Sequence, residues 1–201
     1  MWLLALAACD GGGPGSDAEI PTATLWVASE GRFQAYRYLD AGAAGAAGAD
    51  LDTGVLGESL LQTLYATGGC SAGDGWRMEM RVGAEWNSSE PAGALHFDDA
   101  GGLALCGYED AGTDLVAFET AVALWGKSLR EGEPVESGDW VVTAEREVDL
   151  AIYYGVIPDA VSFTLKGGVH DPSGWVLHFA PDIGIVRIDA TAFSADLVYV
   201  R

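Results

Sequence analysis

Beyond residue 20 the chain alternates apolar and polar side chains with a period of two. Trp76, Met78, Met80 and Val82 alternate with Arg77, Glu79 and Arg81. Val148, Leu150 and Ile152 alternate with Glu147, Asp149 and Ala151. Val161, Phe163 and Leu165 alternate with Ser162, Thr164 and Lys166, and Trp175, Leu177 and Phe179 with Val176 and His178. Successive side chains of a strand point to opposite faces, so each segment predicts a strand with one apolar side. Further strands are predicted near 23–28, 32–39, 103–108, 140–146, 183–189 and 196–200. Segments 55–66 and 114–125 suit either helix or strand. Turn signals separate these runs at Gly73-Asp74-Gly75, Gly101-Gly102, Gly167-Gly168 and Asp171-Pro172-Ser173-Gly174. One-sided strands with short connections pair antiparallel. The expected fold is mainly β: a single antiparallel curved sheet, half-barrel or open β-barrel, with few short helices.

The N-terminus follows a different pattern. Residues 2–8 are apolar and lead into Cys9, and Leu6-Ala7-Ala8-Cys9 resembles a bacterial lipobox. That resemblance implies a leader over 1–8 that is removed and a diacylglycerol on the Cys9 thiol, which holds a protein at a membrane by chain burial. No Lys or Arg precedes the apolar run, so residues 1–8 read as part of a longer signal peptide whose start lies upstream. Gly, Ser and Pro over 9–21 make a flexible tether. The domain is expected over 22–201, interrupted at 41–49 by an Ala/Gly repeat that reads as a flexible loop. The expected location is the envelope of a Gram-negative bacterium, lipid-anchored to the periplasmic face of the inner membrane or to the outer membrane.

Composition narrows the partners. The 201 residues carry 30 acids against 10 bases, a formal charge of −20. Such a field repels phosphate backbones and anionic headgroups, which argues against nucleic acid and leaves the lipid as the membrane contact. Three cysteines are an odd number. With Cys9 lipidated, Cys70 and Cys106 remain as a pair, and export favours a disulfide between them. It would close a loop of about 36 residues, worth roughly 3–4 kcal/mol in the chain-entropy model.

The C-terminal third carries a further pattern. An aromatic-rich strand, a turn and a Gly-aliphatic-Val-basic strand run from Trp175 to Arg187, and a hydrophobic strand follows from Asp196 to Val200. This resembles a loose group of uncharacterised secreted bacterial β-rich lipoproteins. The resemblance implies an antiparallel, partly open β-barrel and no particular reaction. Asp182 stands where the group often has Gly, and Asp also tolerates turn geometry.

Chemical motifs are sparse. Residues 121–128 spell a relaxed phosphate loop, but Leu124 and Trp125 crowd the place where backbone N–H groups would converge. His96, His170 and His178 have no zinc-ligand spacing, and His178 is expected as a lone histidine on the polar, solvent-facing side. Loop acids at Asp50 and Asp52, Asp98 and Asp99, and Glu109, Asp110 and Asp114 fit no calcium-loop register, and either solvated acids or weak calcium binding suits them. No nucleophile motif is present. The expectation is a non-enzymatic protein without metal or cofactor. Its candidate binding residues are Trp76, Met78, Met80, Trp175, Leu177 and Phe179, whose faces would converge on the concave side of a curved sheet. An apolar small molecule or another envelope protein is the expected partner there. The alternative is a structural or interaction lipoprotein with a fully packed core and acidic contact loops.

Overall fold

The computed structural model describes residues 20, 22, 24–40, 60–70, 75–83, 85–126, 130–153, 155–169, 172–191 and 193–201, the side chains of 38–40 excepted. Cys9, residues 10–19 and 21 of the tether, the Ala/Gly repeat, Asp50, Asp52 and His170 lie outside these residues, whereas Ile20, read as tether, is buried in the core. Fourteen strands follow in chain order: β1 (Phe33–Asp40), β2 (Leu60–Thr67), β3 (Trp76–Gly83), β4 (Glu90–Asp98), β5 (Leu103–Glu109), β6 (Val116–Trp125), β7 (Val135–Ser137), β8 (Trp140–Glu147), β9 (Leu150–Ile152), β10 (Gly155–Ile157), β11 (Ala160–Gly167), β12 (Val176–Ala180), β13 (Gly184–Asp189) and β14 (Phe193–Val200). A single 3-10 turn, Trp86–Ser88, lies between β3 and β4.

Twelve strands form one antiparallel sheet in the order β6-β5-β4-β3-β2-β1-β14-β13-β12-β11-β8-β7. The sheet curls almost into a barrel. The described part of each ambiguous segment is a strand, β2 in 55–66 and β6 in 114–125. The seam lies where β6 meets β7, and no backbone ladder joins them. A side chain bridges it instead: Ser137 Oγ donates to the Ala121 carbonyl at 2.6 Å and accepts from the Ala123 N–H at 3.4 Å. Beside this bridge the rings of Phe118 and Trp140 meet across the gap at 5.3 Å.

Cross-strand pairing shows which side chains point inward. Ala144, Phe163, Leu177, Ile188 and Ala195 form one row across β8, β11, β12, β13 and β14. All five are 0–1% exposed. Tyr65, Met78 and Leu95 form another across β2, β3 and β4. Phe179 lies at the centre, with ring centroids of Trp125 and Phe163 5.3 and 5.4 Å away. The middle of the barrel is therefore packed with side chains.

Residues 24–28 are not a strand, contrary to the reading of 23–28. Their short apolar run crosses one end of the barrel and plugs it. Leu25 is buried, and Trp26 packs against Tyr65, Phe97 and Phe179 with centroids 4.9–6.4 Å away. The Asp182 N–H donates to the Thr24 carbonyl, tying the plug to the β12–β13 turn. Asp182 itself has φ of 63°, so the turn uses the left-handed conformation that Gly adopts freely and Asp tolerates.

The predicted strand around 148–152 is broken. Val148 and Asp149 form a turn, with Asp149 at φ 61° and Val148 79% exposed. Strands β9 and β10 then make a separate hairpin. Leu150, Ile152 and Ile157 on this hairpin are buried in the same apolar cluster as the barrel.

Candidate functional site

At the end opposite the plug the barrel interior opens into a cavity of about 230 Å³. Its apolar walls come from Leu61 on β2, Met80 and Val82 on β3, Leu95 on β4, Phe193 on β14 and Trp175 just before β12. Ala92, Ala94, Tyr108, Glu109, Asp110 and Pro172 complete the lining. Two features shape it. A register shift between Met80 and Arg81 bends β3 against β4, and Trp175 stands edge-on to Phe193 at 5.7 Å.

The structure places the six candidate binding residues in three locations. Met80 and Trp175 share the cavity wall. Met78, Leu177 and Phe179 lie deeper, fully buried and in contact with the packed interior. Trp76 is at the plugged end, where its indole N–H donates to Asp99 at 2.8 Å. Val82 shares the alternating face of Trp76 and Met80 but was not singled out. Leu61, Leu95 and Phe193 escaped the sequence reading, since Leu61 lies in an ambiguous segment, Leu95 in a strand without alternation, and Phe193 at the start of its strand.

The outer wall carries two polar clusters. In the first, Glu109 accepts from Arg77 through both oxygens, at 2.7 and 3.1 Å, and lies 2.7 Å from His96 Nε2. The Arg77 hydrogen bonds, helped by His96, hold its carboxyl below the usual carboxylate range. His96 also meets the Gly68 carbonyl at 2.9 Å. Glu109 is thus committed to Arg77 and His96. Among the described residues no group of three His, Cys, Asp or Glu side chains is arranged to hold a metal ion.

Next to this cluster the sulfurs of Cys70 and Cys106 stand at disulfide distance, with 5.8 Å between their Cα atoms. Cys106 occupies a register shift of β5. The following residue must be Gly: a Cβ on Gly107 would lie 2.8 Å from the Val116 carbonyl and 3.1 Å from Cys70 Sγ.

The second cluster corrects the solvent-facing reading of His178. His178 does point to the polar side, but the side is covered, and the residue is 5% exposed. Its Nε2 lies 3.0 Å from Asp189 and its Nδ1 3.0 Å from Glu147. Burial pushes the imidazole pKa down, yet the hydrogen bonds and charges of Asp189 and Glu147 outweigh it and the net shift is upward. His178 in turn holds the Glu147 carboxyl low. Burial raises Asp189, but His178 and Ser194 bring it below its ordinary value.

In the same cross-strand row as His178, Arg187 Nε donates to Asp196 at 2.6 Å, and Asp196 is fully buried. Both residues also hold the hairpin. Arg187 Nη2 donates to the Ala151 carbonyl, and the Tyr153 N–H donates to Asp196 at 3.2 Å. Arg37, the register partner of Asp196 on β1, places its guanidinium 4.8 Å from the Tyr153 ring centre.

The directions of these shifts set a pH window. A raised histidine pKa stabilises fully below the unfolded value, near 6.5, and the gain is lost as pH rises through the folded value. Lowered carboxylates stabilise above their unfolded values, near 4, and lose the gain as pH falls through the folded ones. The cluster therefore contributes most between about pH 4.5 and 6.5. His178→Gln is expected to reduce stability more at pH 6 than at pH 9 in urea titrations. A gap between wild type and variant that is equal at both pH values would refute the charged-cluster account.

Compared with models of protein families, with curated proteins and with solved structures, the chain matches none of them.

Proposed function

We propose that the protein is a lipid-anchored, non-enzymatic binding module of the bacterial envelope, and that the open end of its barrel receives a small apolar group. The observation that carries this reading is the convergence of Met80 and Trp175, distant in sequence, on one apolar cavity. Apolar walls with few polar groups at the rim are the common form of a small-molecule site. The methionine side chain adapts to irregular shapes, which suits a ligand wall.

Size decides between ligand classes. An apolar cavity of about 150 Å³ accommodates benzene. At about 230 Å³ this cavity suits a ring with a short substituent or a short alkyl chain. A full-length fatty acid would leave most of its methylenes in water, forfeiting about 0.8 kcal/mol for each. The packed middle of the barrel supports the same limit. Cys9 would carry the lipid and the tether would present the domain.

The test is a titration of the protein with short-chain and long-chain fluorescent acyl probes and with small aromatics. Binding of the small probes is expected to saturate, and lengthening the chain is expected to bring little further affinity. Ala92→Trp, at the exposed rim, should weaken small-probe binding at least 10-fold while the melting temperature stays within a few degrees. Binding that ignores Ala92→Trp would rule out this cavity. The anchor is tested separately by Cys9→Ser, expressed from the upstream start, which should leave the detergent phase. Retention there would rule out lipidation.

A further inference from the structure

A second hollow lies on the outside of the barrel wall, away from the open end. It has a volume of about 400 Å³ and is lined by Phe33, Leu64, Trp86, Tyr199 and Arg201. The three rings are walls rather than a stack. Phe33 stands at 85° to Trp86 with centroids 5.8 Å apart, and at 59° to Tyr199 at 6.3 Å.

The setting is rigid. Phe33 is the register partner of Leu64, and Phe33 and Arg201 exchange both backbone hydrogen bonds at 2.8–2.9 Å. Trp86 rides on the 3-10 turn, where the Arg81 guanidinium packs 5.3 Å from its ring centre. Arg81 is itself fixed by Ser89, through Nε to the hydroxyl at 2.9 Å and through Nη2 to the carbonyl.

The polar groups at this hollow are unused. Neither the Tyr199 hydroxyl nor the Arg201 guanidinium has a partner among the described residues, and Tyr199 is 51% exposed. Arg77, Arg81 and Arg187 meet carboxylates and Arg32 a carbonyl, whereas Arg201 stands beside three aromatic rings with its guanidinium toward the hollow. The hollow itself is lined by no acidic side chain.

We propose that this hollow binds a pyranose ring that carries a carboxylate, as in an acidic glycan. The ligand class follows from the chemistry of the walls. A pyranose presents a flat C–H face to aromatic rings and hydroxyls at its edge. Tyr199 donates to and accepts from such hydroxyls, and the Arg201 fork matches a carboxylate in two-point geometry. An acyl chain fits poorly, because an open hollow on the outer wall leaves its length in water. A sugar needs only one face desolvated. The volume exceeds that of a benzene-sized cavity more than twofold, room for more than one such ring.

The site is independent of the cavity at the open end and is tested independently. The full domain is titrated calorimetrically with trigalacturonic acid and with neutral cellotriose. At 0.15 M salt, where the field of the net −20 charge is screened beyond about 8 Å, saturable binding of the acidic sugar is expected, at least 5-fold tighter than that of the neutral one. Trp86→Ala and Tyr199→Ala should each weaken the acidic sugar at least 10-fold. Arg201→Gln should reduce the acidic sugar to the level of the neutral one and leave the neutral one unchanged. Melting curves confirm folding, and Tyr199→Ala, at an exposed position, serves if Trp86→Ala fails to fold. No heat at millimolar sugar, binding that survives these substitutions, or equal affinity for the acidic and neutral sugars would each overturn the proposal.

Discussion

Asp196→Ala is expected to destabilise the protein by about 3–5 kcal/mol, the usual cost of removing one partner from a buried ion pair. Asp196 is fully buried and Arg187 is 8% exposed, so neither charge has water to fall back on. The substitution also removes the acceptor of the Tyr153 N–H and loosens the hairpin. For a domain of this size about 10 °C of melting temperature corresponds to that loss. The second half of the test replaces the pair together. Arg187→Met with Asp196→Leu should regain most of the stability, because burying two charges costs nearly what their attraction returns. Faster proteolysis within 150–157 in Asp196→Ala alone would show that the pair pins the hairpin. A melting temperature within two or three degrees of wild type would sink the argument.

The second large effect is at Phe179. Its ring is fully buried and meets Trp125, Phe163 and Trp26. Phe179→Ala should cost about 3–5 kcal/mol, through lost transfer energy and the void left behind. Trp175→Ala supplies the contrast. Trp175 is the larger side chain, yet one side of it lines the open cavity, so less packing is lost. A cost of about 2–3 kcal/mol is expected, at or below the lower end for a sealed aromatic, together with loss of small-probe binding. Denaturant titrations of both variants, with a probe titration of Trp175→Ala, decide the matter. Equal costs at the two positions, with no saturable binding to wild type, would favour the alternative of a fully packed structural lipoprotein.

What could be read from the sequence depended on how each strand is covered. In β3 one face meets the core and the other meets half-exposed charges, so Trp76 to Val82 alternates cleanly. In β4 the alternation vanishes. Ala94, Leu95, His96 and Phe97 are all buried, because the barrel covers one face and the loop tied by Cys70 covers the other. Pro91, Gly93 and a register shift at His96 and Phe97 blur it further. The strand was missed for those reasons. His178 and Asp196 illustrate a different limit. The alternation around His178 correctly puts it on the polar face, but Glu147 and Asp189 enclose it there, and Asp196 is covered by the β9–β10 hairpin, whose Tyr153 N–H it accepts. Nothing local to either residue encodes the cover. Trp26 was misread for the same reason in reverse: a short apolar run looks alike as a strand and as a plug. The cavity was half legible. Met80 and Trp175 stood out in clean strands, whereas their meeting depends on barrel closure, which strand patterns do not specify.

Closure at the seam has a mechanical consequence. In a fully laddered barrel the radius follows from strand number and shear, and changing it breaks a ring of backbone hydrogen bonds. Here the circumference has one joint held by the Ser137 hydroxyl and a pair of rings. A sliding or widening motion there exchanges a side-chain contact for water and leaves every interstrand ladder intact. The seam is a clasp on the band: the girth there is set by side chains, where elsewhere it is set by backbone ladders.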